Sequence, residues 1–156
     1  MSYIIEKKEI KKVEDGEYEC ICTDVDLLSK IDENGKESKK RMQFTFKVRD
    51  DIESNGKFKN WSIYDTAWFN DAEEIYDKRK IESIANALPR TDATLVLADE
   101  SAVKEYVLHK AFRLKLTTKM GKDYQLRQYI SYKTSQQVAK PNVEDLTDSP
   151  DGLPFW

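Results

Sequence analysis

The sequence predicts a mainly β fold, a small five-stranded barrel with helices inserted between the third and fourth strands. Three observations carry this. Residues 41–49 alternate without a break, Met42, Phe44, Phe46 and Val48 on one side and Arg41, Gln43, Thr45, Lys47 and Arg49 on the other, the two-residue period of an extended chain. Strong turn signals, Asp15-Gly16 and Asn34-Gly35, separate the early extended stretches, as hairpins require. Helical spacing is confined to one central stretch, and alternation resumes after it.

In chain order, residues 1–14 mix Ile4, Ile5, Ile10 and Val13 with Lys and Glu, and read equally as a first strand or a docked arm. Residues 17–28 form a strand with Tyr18, Cys20 and Cys22 on one face and Ile21, Thr23 and Val25 on the other. Two partly apolar faces suggest a long, bent strand serving both halves of a barrel. The polar residues 29–40 make the hairpin turn, and the alternating 41–49 strand follows. Residues 57–68 are the third strand, with its phase open: if Trp61 and Ile63 face inward, Phe58 and Tyr64 face out. Asn70-Asp71 before Glu73-Glu74 reads as a helix start, and Ile81, Ile84, Ala85 and Leu88 form its apolar stripe up to Pro89. A second helix is expected over residues 101–109. The last hairpin alternates Phe112, Leu114 and Leu116 with Arg113 and Lys115, turns at Met120-Gly121-Lys122, and alternates Tyr124, Leu126, Gln128 and Ile130 with Arg127 and Tyr129.

The order strand–strand–strand, helix, strand–strand is that of the OB-fold, a five-stranded, partly open Greek-key barrel. The body would occupy residues 1–134. Residues 135–156 lose all periodicity and read as a disordered acidic tail: 141–156 carry Glu144, Asp145, Asp148 and Asp151 and no Lys or Arg. The whole chain of 156 residues has net charge −3; setting those acids aside leaves 26 basic against 25 acidic residues. The acidity sits in the tail.

Several function classes lose support. No leader-like segment or membrane-length apolar run is visible, so a cytoplasmic location is expected. Cys20 and Cys22, the only two cysteines, point the same way on a strand and lack metal-ligand company, since His109 is the only histidine. No metal, cofactor or Cys–His chemistry is expected. The triplet Glu37-Ser38-Lys39 with Asp24 or Asp26 upstream loosely matches a nuclease core, but Glu37 falls in a polar turn rather than at the rigid end of an apolar strand. The chain reads as non-enzymatic.

Three strands share outward Arg, Lys and Tyr, which points to a polymer-binding face. Phosphates would meet Arg41, Lys47, Arg49, Lys59, Arg113, Lys115 and Arg127, and bases would stack on Phe58, Trp61, Tyr64 and Tyr129. Single strands fit better than duplex, because no helix carries an outer row of Arg, Asn or Gln for a groove. The competing class is a protein–protein adaptor that only presents the tail.

The tail ends Asp151-Gly152-Leu153-Pro154-Phe155-Trp156. It resembles the C-terminal tip of bacterial single-stranded-DNA-binding proteins, with Gly152 where an acid is common and Trp156 after the usual final Phe. The body resembles small phage-encoded single-strand-binding proteins at Gly16-Glu17-Tyr18, residues 44–48, 80–88 and 112–132. The resemblance implies single-stranded DNA binding during phage replication, recombination and repair in a bacterial cytoplasm. It also implies recruitment of partner proteins by the tail, here Asp148, Asp151, Leu153, Pro154, Phe155 and Trp156. Exposed edge strands would permit homo-oligomers.

Overall fold

The computed structural model describes residues 2–4 and 12–136. The expected acidic tail, with Asp148, Asp151, Leu153, Pro154, Phe155 and Trp156, lies outside them, as does most of the N-terminal segment.

The described chain is one six-stranded antiparallel sheet with two α-helices, one strand more than the sequence reading expected. The strands are β1 (Gly16–Ile31), β2 (Glu37–Val48), β3 (Ser62–Asn70), β4 (Ile75–Tyr76), β5 (Ala111–Met120) and β6 (Leu126–Thr134), in spatial order β4-β3-β2-β1-β5-β6. The helices are α1 (Lys78–Asn86) and α2 (Glu100–Val107), between β4 and β5. The central strand β1 is long enough to serve both flanks, pairing β2 along one edge and β5 along the other.

The alternation of residues 41–49 is reproduced in burial: Met42, Phe44, Phe46 and Val48 are all at most 1% exposed. In β1, Tyr18, Cys20 and Cys22 enter the core, and so does Val25, which simple alternation had placed on the opposite face from them. The cause is an extra residue in the ladder between Cys22 and Asp24, which reverses the parity of the strand beyond it. Burial pushes the Cys22 thiol up to about 12 and the Cys20 thiol higher. Both are structural apolar groups.

The β1–β2 turn is shorter than its polar sequence suggests. Asp32 Oδ1 accepts from the Asn34 and Lys36 amides at 2.9 and 2.8 Å, and Gly35 takes φ 79°. Its strands therefore run into the polar stretch as a projecting arm, leaving Leu27 and Ile31 exposed. The β5–β6 hairpin projects likewise, with Met120, Tyr124 and Leu126 exposed. Alternation persists in both arms without a core beneath it.

The first helix begins later than the capping pattern implied. The Asn70 side chain accepts from the Ala72 and Glu73 amides, but this caps a turn, after which β4 adds to β3 through Phe69–Tyr76. The cap of α1 is Asp77, accepting from the Lys80 amide; that of α2 is Asp99, accepting from the Ala102 amide. The α1 stripe behaves as core: Ile84 is fully buried and Ala85 and Leu88 nearly so.

Three strands separate β3 from β6 in the sheet order, which in a flat sheet is about 19 Å. Yet the Asp65 carboxylate of β3 accepts from the Tyr132 hydroxyl of β6, and also from Lys80 Nζ of α1 at 2.9 Å. The sheet therefore curls until its two flanks face each other. No backbone ladder joins them among the described residues; the seam is bridged by side chains and by α1. Inside the curl, Phe46 lies 5.3 Å from Phe112 and 5.6 Å from Tyr132, ring centre to ring centre. No helix among the described residues is long and apolar enough to cross a membrane.

Candidate nucleic-acid interface

The face of the sheet opposite the core collects the side chains between the buried ones. On its β2–β3 half, four opposed pairs run along the ladder: Arg41–Trp68, Gln43–Thr66, Thr45–Tyr64 and Lys47–Ser62. Directly opposed residues have side chains about 5 Å apart, so these form one surface. Tyr64 is 60% and Trp68 53% exposed, large rings held in water by a strand whose alternate residues Ile63 and Ala67 are buried. The Arg41 guanidinium lies 5.9 Å from the Trp68 ring centre, a cation–π contact. Lys47 is exposed and has no ion pair among the described residues.

The β5–β6 half differs. Arg113 donates to Glu19 at 3.1 Å, to Glu17 at 3.3 Å and to the Gln136 side chain at 3.1 Å. Lys133 donates to Glu17 at 2.7 Å. Those two bonds hold the Glu17 carboxyl below the usual range, the Lys133 bond contributing most. Glu19 is only 2% exposed, covered by Arg113 and by the Ser135 hydroxyl, which donates to it. Arg127 binds Asp123 within its own turn, which lowers the Asp123 carboxyl. Lys115 is exposed but stands directly across from Glu17. At the outer end, Lys119 Nζ sits 4.7 Å from the Tyr129 ring centre.

Of the residues expected to bind, Arg41, Lys47, Tyr64, Arg113, Lys115, Arg127 and Tyr129 do share this face, and four are placed elsewhere. Arg49 was expected to continue the outward row, but β2 ends at Val48. Arg49 is buried, gripping Asp51 through Nε at 3.0 Å and Nη2 at 2.7 Å. Phe58 is buried in a short 3-10 helix, edge-on to Tyr18 and Trp61. Lys59 pairs with Glu53 at 3.2 Å. Trp61 packs half-buried against the core before β3 begins. The expected third strand thus starts five residues late, because residues 49–61 form a closed loop pinned by Asn55. Its amide donates to the Glu19 and Arg49 carbonyls and its oxygen accepts from the Glu19 amide, each at 2.9 Å.

Trp68 escaped the sequence reading, although it is four residues from Tyr64 and so shares its face. The outward acids also escaped it. They come from β1, which brings Glu17, Glu19, Asp24 and Asp26 to this face through its pairing with β5 and β2. Asp24 and Asp26 oppose Thr45 and Gln43, whereas Arg41 and Lys47 oppose Leu28 and Ile21. The β1 residues directly opposite the β2–β3 cations are therefore neutral.

Among the described residues no group of three or more His, Cys, Asp or Glu is placed to hold a metal. Glu37 of the nuclease-like triplet accepts from the Ser29 hydroxyl at 2.9 Å and forms an ion pair with Lys40 at 3.7 Å in the arm. Compared with known proteins, the chain matches no family model and no curated protein.

Proposed function

We propose that this chain is a non-enzymatic single-stranded-DNA-binding protein, in the manner of phage proteins that coat single strands during replication and recombination, and that its tail recruits partner proteins. The sheet on this reading is a partly open OB-type barrel: three strands, helices, then a hairpin, with the Asp65–Tyr132 seam where a barrel would close. The observation that carries the proposal is the pair of exposed rings on β3, Tyr64 and Trp68, beside Arg41, Gln43 and Lys47 of β2. An exposed ring stacks on any base, each stack contributing about 1–3 kcal/mol, while the cations neutralise phosphates. The amide of Gln43 and the hydroxyl of Thr66 lie between the two ring positions, with Thr45 opposite Tyr64, and can accept or donate to base edges. Such a face tolerates sequence and requires unstacked bases.

The test is fluorescence anisotropy of labelled oligo-dT titrated with the full chain at low and high salt, with duplex DNA as competitor. Binding that weakens steeply with salt and resists duplex competition is expected. No binding at low salt would overturn the reading and leave a protein adaptor that presents the tail.

A further inference from the structure

On the core side of the sheet, away from Tyr64 and Trp68, β4, α1, α2 and the 90–99 loop enclose a groove of about 670 Å³, a volume that accepts several side chains. Its floor is apolar: Tyr76, Ile81, Leu95 and Leu97. Its rim is acidic, with Glu74, Glu82, Asp99 and Glu100 against Lys78 and Arg90. Both cations are engaged, Lys78 with Glu82 at 3.7 Å and Arg90 with the Asn86 side chain and the Asp92 carbonyl at 2.9 Å each. Glu74 and Glu100 have no ion pair among the described residues. An occupant with apolar side chains and surplus positive charge fits this groove.

The chain contains such a segment. Residues 3–12 (YIIEKKEIKK) carry four Lys against two Glu, with Tyr3, Ile4, Ile5 and Ile10 among them. The described chain resumes beside the β5–β6 hairpin, where Val13 is buried and its carbonyl accepts from Gln128 Nε2 at 2.9 Å. Tyr3 and Ile4 are 84% and 88% exposed, so within one copy they do not cover the groove. We propose that the groove between α1 and α2 docks the basic, apolar segment 3–12 of a second copy. Donor and acceptor surfaces differ, so the contact is head-to-tail and can propagate into an open row of protomers rather than close as a pair. The inference is independent of nucleic-acid binding, because the groove and the Tyr64–Trp68 face lie on opposite sides of the sheet.

Sedimentation velocity of the full chain over a concentration series, without DNA, reads the contact directly. Concentration-dependent growth beyond a dimer is expected. It should weaken about tenfold in Glu74→Lys/Glu100→Lys, and recover when Lys7→Glu/Lys8→Glu is added, as charge-paired rims do. A labelled peptide of residues 2–12 should bind the full chain and lose affinity for Glu74→Lys/Glu100→Lys, which circular dichroism must show to be folded. A full chain that stays monomeric throughout overturns the proposal, including the case in which the peptide binds, since docking is then within one copy. Association indifferent to both charge reversals overturns it as well.

Discussion

The two halves of the outward face were built from the same sequence pattern and ended in different electrostatic states. On the β5–β6 half, Arg113, Lys133 and Arg127 are each satisfied by a carboxylate. On the β2–β3 half, Arg41 rests on an indole and Lys47 faces Ile21 and Ser62. Outward charge on a strand is therefore not yet a binding charge. What decides is the strand beside it: β1 lays Glu17 and Glu19 against β5, but Ile21 and Leu28 against the cations of β2. A phosphate approaching Arg113 must displace carboxylates already bound, whereas one approaching Lys47 displaces water.

The comparison breaks most visibly at Arg113. Its guanidinium is the cover of the buried Glu19 carboxylate, and removing one partner of a buried pair leaves an uncompensated charge costing about 3 kcal/mol. Arg113→Ala should lower unfolding stability in urea by that order, while oligo-dT affinity of the folded protein changes less than about twofold. Trp68→Ala should do the opposite. Stability should move by at most about 0.5 kcal/mol, as for other exposed positions. Affinity should fall by about 1–3 kcal/mol, the cost of one lost stack. Equal affinity losses in the two variants would erase the distinction between the halves.

The seam that brings the halves onto one curled surface supplies a smaller effect. Tyr132 is half-buried against the core, and desolvation together with the facing Asp65 carboxylate pushes its hydroxyl well above its usual value of 10.0. A raised folded-state value means that the folded chain holds the proton where the unfolded chain releases it. This contribution is therefore complete below pH 10 and is lost as pH rises above it. The buried thiols of Cys20 and Cys22 act in the same direction from 9.0 upward. Stability should decline from about pH 9. Tyr132→Phe should cost about 1 kcal/mol at neutral pH, the net value of one hydrogen bond, and should make the decline above pH 10 shallower. Urea midpoints across pH 7–11 measure both.

The buried side of this fold was legible in the sequence because burial follows local period. The 42–48 alternation, the inward hairpin residues Phe112, Leu114 and Leu116, and the α1 stripe all appear where their spacing put them. The misplacements share one cause, that tertiary pairing overrode local pattern. A single bulge turned Val25 inward. The Asn55 contacts closed a loop around Arg49 and Phe58 that read as continuing strand. Two residues of β4 took the place of the first helical turn. The candidate site was half legible for the same reason. Parity places Tyr64 and Trp68 on one face from sequence alone, but no local pattern says that Glu17 will stand opposite Lys115 or Glu19 opposite Arg113, about a hundred residues away.

That long-range pairing can be tuned without disturbing the core, which gives the smallest and most specific expectation. Glu17 is the shared acceptor of Arg113 and Lys133 and lies at the surface. Glu17→Gln keeps the shape of the side chain and removes its charge, so Lys133 and Lys115 lose their carboxylate neighbour while Arg113 retains Glu19. The β5–β6 half should then resemble the β2–β3 half. Oligo-dT affinity at low salt should rise about two- to threefold, and the dependence of log affinity on log salt should steepen by about one counterion. The same substitution in Trp68→Ala should give the same ratio, because the two changes lie on separate strands with no shared partner. Unchanged affinity and slope in Glu17→Gln would mean that the DNA track ends on β2–β3 and never reaches the hairpin; the neutralised half would then be scaffold alone.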